Sequence, residues 1–277
     1  MAVRRLLPTR GRRLVGPWCF LDHYGPTTIQ GRGMGLGAHP HLGLQTVSWL
    51  LRGEILHRDS LGSEQIIQPG QLNLMTSGGG IAHSEETPAR HGPEVHGVQL
   101  WVALPETARH GEPAFEHHGT LPEIGIGPFK ATVFLGAFGG VRSGAISHSP
   151  ILGAEWAALK DGEAEVSLNP AFEHAVVLLE GRAALEGEPL EIGSVYPVPS
   201  GRDGFKLRAE RGARILLLGG GPFPEPILMW WNFVARTPEE MTVARTAWER
   251  GDFPKVAGNL PRVPAPTLDP SSLRLRR

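Results

Sequence analysis

Two short stretches carry side chains whose types and spacing suit metal chemistry. His39-Pro-His41 sets two imidazoles at i and i+2, and His83-Ser-Glu85 sets an imidazole and a carboxylate at the same interval. On an extended strand, residues i and i+2 share a face, with Cα atoms about 6.5–7 Å apart. Each pair therefore presents both of its groups to one side of a sheet. If the two strands are neighbours, the groups converge on one point as three imidazole nitrogens and one carboxylate oxygen. One such pair alone is a weak signal; two in the same module favour a metal site built from His39, His41, His83 and Glu85.

Nitrogen and oxygen donors without sulfur suit Fe(II), Mn(II), Ni(II), Co(II), Cu(II) or Zn(II). On six-coordinate iron, four protein ligands leave two open positions, an extension of the two-His-one-carboxylate pattern of non-haem iron oxygenases. The open positions admit a chelating oxygenated substrate, O₂, or both. One carboxylate on a divalent ion leaves a net positive charge, which favours an enolate or phenolate. The bland alternative is a closed structural zinc site, which four protein ligands also satisfy. His57 alternates with Ile55 and Asp59 and shares their face, either beside the ligands or paired with a carboxylate.

Other chemistries find little support. A single cysteine, Cys19, excludes internal disulfides and multi-cysteine metal sites and reads as a small buried hydrophobe. The glycines from Gly31 to Gly37 neither follow an apolar strand nor open a helix, so they do not form a dinucleotide loop. Ser77-Gly-Gly-Gly80 lacks the lysine of a phosphate loop. No Gly-x-Ser-x-Gly elbow supports serine hydrolysis. His91, His96, His110, His117, His118 and His148 lie among Gly, Pro and charged residues and are expected in surface loops. Trp230-Trp231 reads as packing.

The elements that must position these groups are strands. Apolar runs of strand length recur between turn residues, at Leu44–Leu51, Glu54–Asp59, Leu72–Thr76, Val98–Leu104, Ala131–Gly136, Glu155–Ala158, Glu173–Leu179, Gly193–Val198 and Ala213–Leu218. That spacing indicates an all-β sandwich or barrel. Residues 47–75 and 176–198 echo each other as strand, glycine turn, strand, glycine turn, strand. Two copies of one β module fit 277 residues at about 150 per domain. The join is expected between 135 and 150, giving domains 1–138 and 139–277. One helix is predicted: Thr237 caps, Pro238 opens, Glu239 and Glu240 fill the first turn, Met241, Val243, Ala244, Ala247 and Trp248 form an apolar stripe, and Gly251 stops it.

Lys and Arg total 27 and Asp and Glu 28, a net charge of −1 that gives no global reason to bind nucleic acid. The cluster Arg4, Arg5, Arg10, Arg12 and Arg13 reads as a solvated edge. No apolar run is long enough to span a membrane, and the N-terminus is a poor signal peptide, so a cytoplasmic location is expected.

Several stretches resemble a known family. Gly33-x5-His39-x-His41 with Gly53 resembles the first cupin motif, and Pro69-Gly70 with His83 resembles the second. His39-Pro-His-Leu-Gly-Leu-Gln-Thr-Val-Ser-Trp-Leu-Leu-Arg-Gly-Glu54, His57-Arg-Asp-Ser-Leu-Gly62 and Asn73-Leu-Met-Thr-Ser-Gly-Gly-Gly-Ile-Ala-His-Ser-Glu85 are similar to the pirin signature. Arg13–Pro26 resembles the pirin opening, and Leu217–Pro222 with Met229–Val234 its close. The resemblance implies two tandem cupin (jelly-roll-like) barrels with a short C-terminal helix. The first barrel would hold one divalent metal, usually iron, on His39, His41, His83 and Glu85, and the second would be metal-free. The family resemblance implies a quercetin 2,3-dioxygenase-like activity that cleaves a flavonol with O₂, with Glu85 also accepting the substrate proton. The alternative it implies is a redox-sensing iron protein that regulates a partner protein without turnover. The cupin motif usually places Glu four residues after its second His; this chain has Gln45 there, expected beside the ligands or in a structural role.

Overall fold

The computed structural model describes residues 2–9, 11, 13–31 and 33–275. Arg10 and Arg12 of the basic cluster lie outside the described residues. Strands dominate, with a single short α-helix among the described residues.

The chain divides into two compact units. The first comprises Met1–Val3, Tyr24–His117 and Pro224–Arg277, and the second Arg4–His23 and His118–Phe223. This division differs from a single join at 138/139, because each unit includes a segment distant in sequence. The helix, expected with the C-terminal half, packs inside the first unit.

In the first unit, Leu44–Arg52 lies between Glu94–Ala103 and Leu72–Thr76 in one antiparallel sheet. A second sheet runs in the order Gly35–His41, Ile81–Glu86, Ile55–Asp59, Glu64–Ile67. Leu50 and Val95 from the first sheet meet Ile55 and Ile67 from the second in one buried cluster. Burial of these β-branched and leucine side chains, worth about 1.5–3 kcal/mol each, closes the sheets on each other.

The second unit repeats the plan. Its larger sheet includes Phe129–Phe138, Ile151–Ala158, Arg214–Gly220 and Glu173–Glu180, and its smaller one Gly162–Ser167, Gly204–Ala209 and Ala183–Leu185. Trp156, Val176 and Leu217 of the larger sheet pack against Val166, Phe205 and Leu207 of the smaller.

The helix spans Pro238–Arg250, with the Thr237 hydroxyl accepting from the Glu240 N–H and Gly251 closing it at φ 82°. Only glycine takes that left-handed conformation without strain. Met241, Ala244 and Trp248 face inward, whereas Val243 of the expected stripe is exposed and Ala247 only half-buried, because the buried face is narrower than the apolar run; Trp230 and Trp231 pack against the same cluster. Cys19 is buried. Arg4 and Arg5 sit on an exposed strand, where Arg5 pairs with Asp22.

Candidate metal centre

The second sheet of the first unit explains why the two histidine-bearing stretches meet. Gly35–His41 pairs antiparallel with Ile81–Glu86, and His39 lies directly opposite His83. The register shifts between Leu36 and His39, a bulge that Gly37 and Ala38 accommodate. On its other edge, Ile81–Glu86 pairs with Ile55–Asp59, where His57 opposes Glu85 and Asp59 opposes His83. Alternation then puts all six side chains on one face.

His39, His41 and His83 are buried and offer ligand nitrogens within 4.8 Å of one another. The His39 and His83 ring centroids are 4.3 Å apart, and His41 Nε2 lies 3.0 Å from His83 Nε2. A second set, His57, His83 and Glu85, meets the same distance limit, so His83 belongs to both. Trp101 packs edge-on against His41 at 5.3 Å, and Phe115 stacks on His57 at 4.4 Å.

The hydrogen bonds assign the ring protons. Asp59 Oδ1 accepts from the Leu61 and Ser63 N–H groups, which fixes the carboxylate. Its Oδ2 accepts from His57 Nε2, 3.1 Å away. His57 therefore turns its Nδ1 lone pair to His83 Nδ1, 3.3 Å away, which donates to it. His83 Nε2 is left as a lone pair facing His41. His39 Nδ1 donates to the Gly37 carbonyl at 2.9 Å, which leaves its Nε2 free as well. Outer partners that orient imidazoles in this way are the usual companions of metal-ligating histidines.

Burial pushes the His39 pKa down to about 4, against the opposing pull of the Gly37 carbonyl. Burial likewise holds His41 and His83 well below the ordinary imidazole value. All three are neutral at pH 7, the form that ligates a metal. Burial pushes the Glu85 carboxyl up, partly offset by His57 and by the Ser48 hydroxyl, which donates to Glu85 Oε1 at 3.3 Å. Neutral nitrogen donors beside one carboxylate fit a divalent transition metal, and the cluster can hold one.

His57, expected on the face of Ile55 and Asp59, is in this cluster. Gln45 lies on the facing sheet, where its amide donates to Thr76 Oγ1 at 2.9 Å. His96 differs from its expected loop position: it is fully buried on the strand Glu94–Ala103, within reach of Arg52. His117 also lies on a strand and bonds to Asn73 Oδ1 at 2.7 Å. Trp101 and Phe115 carried no motif, and Ser48, though inside the stretch His39–Glu54, was given no role; its one signal was a polar residue inside an apolar strand.

The family model described as pirin matches residues 1–102, and the one described as pirin C-terminal cupin domain matches residues 154–254. This chain belongs to the pirin family. A Pseudomonas aeruginosa protein provisionally named quercetin 2,3-dioxygenase is 45% identical over 274 residues, covering 97% of this chain and 86% of its own. A pirin-like protein of Caulobacter vibrioides is 35% identical over 257 residues, covering 90% of this chain and 88% of its own. The crystal structure of quercetin 2,3-dioxygenase from Acinetobacter baumannii superposes with a TM-score of 0.95 at 39% identity, over 99% of this chain and 92% of that one. Among the described residues, no helix of this pirin is long and apolar enough to cross a membrane.

Proposed function

We propose that this pirin is a metal-dependent dioxygenase that opens a flavonol-like aromatic substrate with O₂, holding one divalent metal on His39, His41, His83 and Glu85. Fe(II) is the proposed occupant, with Mn, Ni, Co, Cu and Zn as the alternatives the donor set accepts. The observation that carries the reading is the meeting of three buried, neutral imidazoles with Glu85 beside the shared His83. The names of its relatives supply the substrate class.

When bound, the metal supplies Lewis acidity that lowers the pKa of a substrate hydroxyl. The protein's part is positioning and proton handling. Asp59 and His57 keep the His83 proton on Nδ1. The Gly37 carbonyl does the same for His39. Glu85, made more basic by burial, accepts the hydroxyl proton at a carboxylate oxygen, and the Ser48 hydroxyl steadies that group. Trp101 and Phe115 pack against the rings of His41 and His57 and restrict their motion.

The test is metal analysis of protein purified without added metal, then anaerobic reconstitution and quercetin turnover in air. About one equivalent of metal and substrate-dependent O₂ uptake are expected. Stoichiometric metal without turnover, for every metal tried, would overturn the enzymatic reading and leave a metal-binding protein. Substitution of His83 by Ala removes the nitrogen common to both clusters and is expected to abolish stoichiometric metal.

A further inference from the structure

The second unit contains a cavity of about 290 Å³ that the metal chemistry does not use. That volume lies near the lower end of small-molecule sites and suits a single-ring ligand. His174, Phe172, Phe138, Arg142, Asn169 and Ser149 line it.

His174 is 1% exposed, yet neither of its ring nitrogens has a hydrogen-bond partner. Buried polar groups are rarely left bare, so a ring of this kind marks a place where a bound group completes the bonding. Its position is held by its neighbours. Gly219 pairs with His174 across the sheet, and a Cβ at 219 would come within 2.6 Å of His174 Cδ2. Only glycine leaves room for the imidazole in this orientation. Phe172 lies 6.0 Å from the ring at 37°, and Phe138 is fixed edge-on against Trp156 at 5.4 Å, so two aromatic faces bound the space. Arg142 is exposed and makes no ion pair among the described residues. Asn169 Oδ1 already accepts from the Ala171 N–H at 3.0 Å, so its amide N–H groups are what it offers a ligand.

We propose that this cavity is a second ligand site, for a hydroxy-substituted aromatic carboxylate of single-ring size. The carboxylate is met by the Arg142 guanidinium and the Asn169 amide. The ring lies against Phe138 and Phe172. The ligand hydroxyl meets one ring nitrogen of His174, donating to it when that nitrogen carries the lone pair or accepting from it when it carries the proton, a complementarity that a neutral imidazole provides and a purely apolar wall does not. No bond is made or broken at this site, and it is independent of the metal reading.

The test uses calorimetric titration of the full chain with 4-hydroxybenzoate and with benzoate, on metal-loaded and on chelator-stripped protein. The proposal expects saturable 4-hydroxybenzoate binding, equal in both forms, and tighter than benzoate. Arg142→Gln, at an exposed position, should weaken both ligands by about tenfold. His174→Leu should remove the preference for the hydroxyl while leaving benzoate binding near the wild-type value. Loss of binding on metal removal would place the ligand at the other centre and overturn the proposal. So would an unchanged affinity in Arg142→Gln, or no saturable binding of either ligand. Thermal unfolding of each variant separates a lost fold from a lost site.

Discussion

The side chain that decides most is one that never needs to touch a metal. Asp59 is held by two backbone N–H groups and fixes the His57 proton, which in turn fixes that of His83. Asp59→Asn keeps the size of the group but presents an amide where His57 requires an acceptor. Metal affinity should fall about 10- to 100-fold with every proposed ligand still present, measured by competition with a chromophoric chelator. At the other end of the chain, Gly219→Ala drives a methyl group toward the His174 ring. Overpacking of this kind costs about 1–3 kcal/mol. The penalty should shrink in the Gly219→Ala, His174→Ala double variant, because the two positions share one contact; urea midpoints of the four proteins check this. At this scale the sequence was informative where spacing carries chemistry. His39, His41, His83 and Glu85 are named by their i, i+2 intervals, and His57 by its alternation with Asp59. The partners that tune them were not readable: Phe115 and Trp101 are ordinary strand aromatics until the fold sets them against an imidazole.

Among the elements, the strand Gly35–His41 has the most unusual support. It ends its sheet, and an end strand exposes unpaired backbone groups. Here the segment after the helix covers it: the Val263 N–H donates to the Ala38 carbonyl at 2.8 Å. The Trp248 indole bonds to the Val263 carbonyl at 2.9 Å, and the Arg262 guanidinium lies 4.4 Å above that indole. A Cβ at Gly37 would sit 1.7 Å from the Pro261 carbonyl oxygen. Gly37→Ala should therefore displace this covering segment, with several-fold faster tryptic cleavage after Arg262 and weaker metal binding as the measured outcomes. Strands with an apolar run were found from sequence to within a few residues, Leu72–Thr76 among them. Gly162–Ser167 and Gly204–Ala209 were not, because charged residues alternate with small or apolar ones along them and only one face is buried. The helix was legible because its caps are side-chain chemistry: a threonine hydroxyl, a proline and a glycine at φ 82°.

Over the whole molecule, burial of neutral histidines sets the acid response. His39 in the first unit and His174 in the second both have pKa values lowered to about 4 by burial. In the unfolded chain each titrates near 6.5. Above that pH both states are neutral and nothing is lost. As pH falls from 6.5 toward 4, the unfolded chain takes up protons that the folded protein refuses, so stability declines. At pH 5.5 the loss is about 1 kcal/mol for each such histidine. Urea unfolding of chelator-treated protein at pH 7 and pH 5.5 measures it, and His174→Gln should make the decline shallower by that amount. The two-module plan was visible in the repeated meander, but its boundaries were not. Nothing in the composition near residue 138 reveals that residues 224–277 complete the first unit or that residues 4–23 join the second.

That arrangement has a consequence for biosynthesis. The stretch that covers the His39 strand is synthesised well after His39, His41, His83 and Glu85. The edge of that strand therefore waits for its backbone partner until residue 263 has been made, and the imidazoles of His39 and His41 sit on an open edge while the intervening chain is synthesised.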